Sequence, residues 1–273
     1  MPKERNKADD YREKAYAGDT KAMNNLGVCY ERGTGVKISL ELAFEWYMKA
    51  AELDDVYGCF NVGECYYHGK GVEQDPALAF EWYMKAADKG DMQSQVNVAN
   101  AYYLGNGVEM DHHKAFLWYR EAAFQGHVLS QKNCGAAYWN GDGVEKNLEE
   151  CVFWYELAAN GGDAQAQFAT GWFLMTGTGV PKDERKGLKW IHKSTFQGYQ
   201  PASTIVRNTV TNGIEPMTQT IVYYLIALNI VTFFVYGIDK WKAKQGSWRI
   251  SEASLLLLAV IGGSIGALLG MQV

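Results

Sequence analysis

The sequence lacks any block of basic residues: its 26 Lys and Arg are outnumbered by 31 Asp and Glu among 273 residues, which gives a net charge of −5. A protein that binds a phosphate backbone needs a basic patch or stripe. We therefore do not expect nucleic acid as a partner. The N-terminal stretch MPKERNKADDYREK also lacks the apolar run of a secretory signal peptide, so the sequence predicts no export.

Cysteine and histidine are scarce, with five of each. The cysteines show no C-x-x-C spacing, which fits neither a disulfide framework nor a zinc site, and we expect buried free thiols in a reducing compartment. His112 and His113 directly follow Asp111. Because neighbouring residues on a helix point about 100° apart, these two cannot converge on one metal ion, and we interpret them as surface residues. The sequence predicts no metal and no cofactor.

What the sequence does contain is a repeat of constant length. A G-x-G-V motif recurs every 36 residues, with its first glycine at Gly33, Gly69, Gly105, Gly141 and Gly177. A Trp-Tyr pair and an Ala-Ala pair follow with the same step and weaken only in the fifth unit. Apolar and small residues recur at three- and four-residue steps within each unit, which predicts a pair of helices per unit.

Residues with good helix-capping side chains stand where each predicted helix should begin. First helices are expected to begin behind Asp19, Asp55, Asp91, His127 and Asp163, and second helices behind Ser39, Asp75, Asp111, Asn147 and Asp183. The glycines of the G-x-G turn permit positive φ angles. A further glycine in four first helices should let the paired helices pack closely, and it stands at Gly27, Gly63, Gly135 and Gly171.

The pattern A-x-x-x-L-G-x-x-Y-x-x-G-x-G-V followed by A-x-x-W-Y-x-x-A-A resembles the Sel-one-like repeat (SLR), a relative of the tetratricopeptide repeat, over residues 18–197. The resemblance implies an all-α fold, a right-handed superhelix of helical hairpins with units at 18–53, 54–89, 90–125, 126–161 and 162–197. Capping helices are expected at 1–17 and 198–213, so that the solenoid covers 18–213. Ala99, Leu174 and the weak second helix of the fifth unit depart from the pattern and suggest a less regular fifth unit.

Similarity to tetratricopeptide repeats implies that the first helices line a concave face that binds a protein or peptide. The candidate binding residues on this face are Tyr57, Phe60, Asn61, Tyr67, Asn97, Tyr103, Asn133, Trp139 and Trp172. Exposed aromatic side chains offer large contact areas at low entropic cost, although some of these could belong to the core instead. The three asparagines could grip the main chain of an extended peptide, or hydrogen bond between helices of the solenoid.

The composition changes abruptly after Pro216. Two apolar runs, at about 220–238 and 254–273, are each long enough to cross a bilayer, and they predict a membrane domain of two transmembrane helices over 214–273. The motifs D-K-x-x-A, R-I-S-E and G-G-x-x-G-A in this part resemble a small bacterial integral-membrane domain family of unknown function.

Two groups of residues stand out in the predicted membrane domain. A glycine stripe could pack the two spans together or support self-association of two chains, and it consists of Gly262, Gly266 and Gly270. A charged cluster is expected at the membrane boundary, as plain interfacial charges, an ion-pair cluster or a lipid headgroup site, and it consists of Asp239, Lys240, Arg249 and Glu252.

Together these patterns predict a membrane-anchored scaffold or adaptor that binds a protein or peptide. The chain is not expected to be an enzyme, because it has no S-x-x-K, H-E-x-x-H or phosphate-loop motif. The excess of acidic residues favours a partner with a basic segment. The alternative is a small transport or channel unit regulated by the repeats, although the predicted spans hold no ionisable residue.

The expected location is the inner, or cytoplasmic, membrane, with the bilayer as a lipid partner. Four basic residues in the loop between the spans would place that loop in the cytoplasm and the repeats outside. Free cysteines and the absence of a signal peptide instead favour repeats in the cytoplasm. We expect the second arrangement.

Overall fold

The computed structural model describes residues 6–203, and this part of the chain consists of helices joined by short turns. The helices are α1 (Lys7–Tyr16), α2 (Thr20–Arg32), α3 (Leu40–Glu52), α4 (Val56–His68), α5 (Pro76–Asp88), α6 (Met92–Leu104), α7 (His112–Phe124), α8 (Val128–Asn140), α9 (Leu148–Asn160), α10 (Ala164–Thr176) and α11 (Glu184–Phe196). Each helix packs against the next one along the chain. The predicted all-α solenoid of helical hairpins is confirmed.

The capping residues fix where the helices begin. All ten predicted cap side chains accept a hydrogen bond from a backbone N–H two or three residues further on, as Asp55 does from Gly58 at 2.8 Å. These bonds satisfy backbone donors that have no partner within the helix. The first helix of each repeat ends at a glycine with a left-handed backbone conformation, such as Gly69 with φ 69°. The predicted helix starts are confirmed.

Small residues allow the two helices of a hairpin to pack at short range. A methyl group added to Gly27 would come within 2.5 Å of the ring of Tyr47, and one added to Gly63 within 2.6 Å of the ring of Tyr83. Both tyrosines are buried. The ring of the second helix therefore occupies the space that a side chain on the first helix would need.

A second type of close contact joins consecutive repeats. In four of the five G-x-G turns, the second glycine lies against the first carbonyl of the second helix in the preceding repeat; in the first turn, Gly35 lies against the side chain of Asn6. A methyl group on Gly107 would come within 2.1 Å of the carbonyl oxygen of Pro76, and Gly71 and Gly143 meet the carbonyls of Leu40 and His112 at the same distance. These four turns therefore pack directly against the preceding repeat.

The fifth repeat is as regular in length as the others, contrary to the expectation. Its helices α10 and α11 each have 13 residues. Gly187 faces Gly171 across the hairpin, where a methyl on Gly171 would lie 2.8 Å from the Gly187 carbonyl oxygen. Ile191 is fully buried in the position that tyrosine occupies in the other repeats. Gly187 and Ile191 together thus preserve the close packing of this hairpin.

The described residues include part of each expected capping segment. Helix α1 lies within the segment expected to form the N-terminal cap, and residues 200–203 are helical within the expected C-terminal cap. No helix between residues 6 and 203 is both long and apolar enough to cross a membrane. The predicted spans at 220–238 and 254–273 lie outside the described residues. So do the glycine stripe and the charged cluster, formed by Gly262, Gly266, Gly270, Asp239, Lys240, Arg249 and Glu252.

The contact between turn and carbonyl can be tested with two glycines of similar backbone conformation. Gly107 and Gly90 have φ angles of 75° and 90°, but a methyl on Gly90 would meet nothing within 4 Å. We expect Gly90→Ala to cost about 1–2 kcal/mol through its φ angle alone. Gly107→Ala should cost at least about 3 kcal/mol, because overpacking adds to the same strain. Urea unfolding followed by circular dichroism measures both, and equal losses would refute the proposed role of the contact.

Candidate functional site

The first helices of neighbouring repeats lie side by side and contact each other through polar side chains. The hydroxyl of Thr20 on α2 donates to Asp55 at the start of α4 at 3.1 Å, and Lys132 on α8 pairs with Asp163 at the start of α10 at 3.0 Å. The surface formed by α2, α4, α6, α8 and α10 is called the first-helix face below. It is continuous from one repeat to the next.

Three cavities open along the first-helix face, each at a junction between consecutive repeats. The first has a volume of 170 Å³, and its lining includes Glu64, Tyr67, His68, Tyr83 and Asn97. The second has a volume of 210 Å³, and its lining includes Tyr103, His112, Tyr119, Asn133 and Asp142. The third has a volume of 240 Å³, and its lining includes Trp139, Tyr155, Phe168, Trp172 and Tyr199. These three cavities, called the junction cavities below, are lined by residues at equivalent positions of the repeat, 36 residues apart, such as Tyr67, Tyr103 and Trp139.

The second helices contribute a tyrosine to the wall of each junction cavity. Tyr83 donates its hydroxyl to Glu64 at 2.7 Å, and Tyr119 donates to Asn100 at 2.6 Å. Burial, together with the bond to Glu64, raises the pKa of Tyr83. Burial also raises the pKa values of Tyr119 and Tyr155 to about 12. These phenols are therefore protonated near neutral pH, and those of Tyr83 and Tyr119 act as hydrogen-bond donors.

The chemical character of the cavities changes along the solenoid. The first contains the pair Glu64 and His68, with Oε2 and Nε2 3.5 Å apart. In the second, His112 Nδ1 donates to the Asp142 carboxylate, and the ring of Tyr103 stacks on His112 with centroids 4.9 Å apart. The third cavity is predominantly aromatic. It includes the edge-to-face pair of Trp139 and Trp172, with centroids 6.0 Å apart.

The predicted aromatic binding residues divide into two groups. Tyr57 is 58% exposed, Tyr103 43% and Trp172 36%, and Tyr67 is also exposed. Phe60 is half-buried and packs against the apolar clusters around Val62 and Tyr83. Trp139 is likewise half-buried, against the cluster around Phe173, although it also lines the third cavity. The first group is the more exposed of the two and is the better placed to contact a partner.

The three candidate asparagines have partners inside the solenoid. Asn61 donates to Asn24 of the neighbouring first helix at 2.7 Å, and Asn97 donates to Glu64 at 3.4 Å. Asn133 hydrogen bonds with Tyr119 and lines the second cavity. These contacts favour the interpretation in which the three asparagines hydrogen bond between helices of the solenoid. Asn97 and Asn133 are still accessible from the cavities.

The two adjacent histidines both hold the turn of the following repeat. His113 Nδ1 donates to the carbonyl oxygen of Gly143 at 2.7 Å, next to the bond between His112 and Asp142. The two rings therefore serve a structural contact, although His112 also faces the second cavity. All five cysteines are free and buried, as expected.

Several cavity residues were not among the sequence candidates. Glu64 lies in a column that the resemblance places on the concave face, but it was not selected as a binding candidate. His112 and Asp142 were missed because they lie at variable positions of the repeat. The tyrosines Tyr83 and Tyr119 were assigned to the repeat pattern alone. A usable signal existed, since a tyrosine that recurs in four of the five hairpin cores must direct its hydroxyl toward a polar partner.

An acidic residue also stands at the first repeat of the face. Glu31 accepts hydrogen bonds from the Tyr47 hydroxyl at 2.9 Å and from Lys70 of the next repeat at 3.0 Å. Burial acts to raise the pKa of Glu31, but the bonds from Lys70 and Tyr47 outweigh it and leave that pKa below its ordinary value. The carboxylate is therefore ionised near neutral pH.

Repeated hairpins with equivalent cavities along one face define an α-helical solenoid of the kind that presents an extended binding surface. The particular type follows from the family model for the Sel1 repeat, which matches residues 20–55, 56–91, 93–127, 128–163 and 164–199. The chain belongs to the Sel1 repeat family.

Two solved structures are similar to the chain. A protective antigen of uropathogenic Escherichia coli strains with an SLR fold is 29% identical, with a TM-score of 0.70, and the match covers 95% of this chain and 57% of that one. A Sel1 repeat protein from Oxalobacter formigenes is 30% identical, with a TM-score of 0.65, and the match covers 72% of this chain and 82% of that one.

The C-terminal part matches a second family. Residues 229–273 match the model described as Protein of unknown function (DUF1294). The uncharacterized protein YsdA of Bacillus subtilis is 53% identical over 49 residues, which is 18% of this chain and 55% of YsdA. The chain thus spans about half the length of the curated relative it matches. The resemblance to a small family of unknown function is compatible with this match.

The ionised state of Glu31 gives a pH-dependent prediction. Because the folded-state pKa lies below the ordinary value of 4.5, the stabilisation is present above that value and is lost as the pH falls through the folded-state pKa. Glu31→Gln should lower the unfolding free energy near neutral pH by no more than about 1 kcal/mol, since Lys70 is partly exposed to solvent. The difference between variant and parent should shrink below pH 4.5 in urea titrations. A difference independent of pH would contradict the assignment.

Proposed function

We propose that the chain is a non-enzymatic scaffold that binds a protein or peptide along its first-helix face. The observation that carries this proposal is the series of three junction cavities at equivalent positions, bordered by exposed aromatic side chains. A single pocket could be a packing defect, whereas the same cavity repeated at three junctions offers several side chains of one partner a matching set of sites. The Sel1 repeat fold supports the same general role.

The charges and rings of the cavities indicate the chemistry of the partner. Glu64 and Asp142 place carboxylates at the first and second cavities, while the third is lined mainly by aromatic rings. Basic side chains suit the first two cavities, and an aromatic or aliphatic side chain suits the third. We therefore propose a partner segment with basic residues followed or preceded by an apolar anchor.

The C-terminal part would hold this scaffold at the inner membrane. This step rests on the two apolar runs in the sequence after Pro216 and on the basic loop between them. The match to a family of unknown function covers most of that region. The repeats would then lie in the cytoplasm, where buried free thiols persist.

The binding face can be tested with peptides selected from a random displayed library on the immobilised chain. Tyr103→Ala combined with Trp172→Ala should weaken the selected peptides at least about tenfold, because exposed aromatic anchors dominate such interfaces. The matched control combines Phe124→Ala with Phe153→Ala, which removes exposed rings from second helices. Equal weakening in both variants, with unchanged thermal stability, would contradict binding on the first-helix face.

The membrane anchor and its orientation can be tested in cells. We expect the full chain to remain in the membrane pellet after carbonate extraction. The repeats should resist protease in spheroplasts and be digested after lysis. Release by carbonate would exclude the anchor, whereas digestion in intact spheroplasts would place the repeats outside and reverse the proposed orientation.

A further inference from the structure

Helix α11 carries a basic surface that the other second helices lack. Arg185, Lys189 and Lys193 are all exposed and lie four residues apart, so they follow one side of the helix. Phe196 continues the same side and is 92% exposed. The row formed by Arg185, Lys189, Lys193 and Phe196 is called the α11 row below.

The equivalent rows of the earlier repeats have a different charge. In α3 the four positions hold Glu41, Glu45, Lys49 and Glu52, and in α5 they hold Ala77, Glu81, Lys85 and Asp88. Each of α7 and α9 also has a glutamate in its row, at Glu121 and Glu149. Only α11, among the second helices of the described repeats, has three basic residues and no acidic one in this row.

The positive charge of the α11 row is not neutralised within the described part of the chain. The nearby Lys182 and Lys186 pair with Glu184 and Asp183, at 2.7 and 3.8 Å. No ion pair within residues 6–203 involves Arg185, Lys189 or Lys193; Lys193 instead lies 4.2 Å from the centre of the Trp190 ring. The row therefore presents an open positive surface next to an exposed aromatic ring.

The position of α11 in the chain indicates what this surface meets. It is the last complete helix among the described residues, and the 16 residues 204–219, which separate these residues from the apolar run that begins at Thr220, can span no more than about 55 Å. Basic side chains beside an aromatic ring suit a lipid surface, because the charges attract anionic headgroups and the ring enters the interface. We propose that the α11 row rests on the anionic surface of the membrane. The inference deepens the proposed membrane scaffold and rests on it.

Such a contact would orient the solenoid. A second contact through α11 would fix the last repeat at the bilayer and direct the earlier, more acidic repeats away from it, since like charges repel. The first-helix face would then be held in one orientation for its partner.

The test places a polarity-sensitive fluorophore on Phe196→Cys in the full chain, reconstituted in nanodiscs that contain a lipid-attached quencher. The native cysteines are buried, and burial raises the pKa values of Cys65, Cys134 and Cys151 to about 12, so the introduced thiol is labelled selectively. Tyr16→Cys is the matched control, because Tyr16 holds the equivalent position in α1 and is 75% exposed.

We expect the quencher to reduce the emission at position 196 several-fold more than at position 16 when the bilayer contains phosphatidylglycerol, and much less with phosphatidylcholine alone. Arg185→Glu with Lys189→Glu should remove this difference, since each basic side chain contributes about fivefold to partitioning. The variant should still fold, because Glu41 and Glu45 occupy these positions in α3. Equal quenching at positions 16 and 196 in anionic nanodiscs would overturn the proposal and leave an acidic protein surface as the alternative occupant.

The lipid contact of the α11 row can be tested separately if the proposed membrane anchor is wrong. If carbonate extraction releases the chain, the same labelled protein is mixed with free vesicles of the two compositions. Quenching at position 196 by anionic vesicles only would retain the lipid contact without the anchor. Absence of quenching by both kinds of vesicle would refute the contact as well.

Discussion

The fold depends on the close approach of backbone and side chains at fixed points of each repeat. The second glycine of a turn meets the carbonyl of the preceding repeat at a distance that no side chain permits, as Gly107 does at Pro76. The glycine of a first helix makes room for the tyrosine ring of its partner helix. Because each contact recurs in most units at the same spacing, it tolerates little change in the number of residues between its partners. The constant step of 36 residues is the consequence.

The junction cavities follow from the same geometry. Stacked hairpins leave a gap where two first helices and one second helix meet, and the buried tyrosine of the second helix forms one wall of that gap. Its hydroxyl needs a polar partner, which Glu64 provides in the second repeat and Asn100 in the third. The scaffold thus produces similar cavities, and the variable residues around them determine their chemistry.

Two surfaces of the solenoid differ in charge. Carboxylates at the first two cavities favour a basic partner, whereas the outer side of α11 is positive and lies close in sequence to the predicted membrane segment. A uniformly acidic solenoid would be repelled by anionic headgroups along its whole length. Concentrating basic residues in the last repeat would allow one end to approach the membrane while the rest remains available to a protein.

The sequence by itself determined the repeat, the helices and their starts, because capping and glycine requirements are local and act within a few residues. The resemblance to tetratricopeptide repeats placed Tyr57, Tyr103 and Trp172 on an exposed face, as the structure has them, but it left open which of the other candidates belong to the core. The sequence could not determine that Gly187 faces Gly171 across the hairpin of the fifth repeat. Nor could it determine that Phe60 packs against the core, or that the amide of Asn61 donates to Asn24 inside the solenoid. It also gave no indication that His112 joins Asp142 in a cavity. Those outcomes depend on which residues meet within a hairpin or across a repeat junction, where His112 and Asp142 are 30 residues apart in sequence and Asn61 and Asn24 are 37. Only the packing and stacking of the hairpins bring them together.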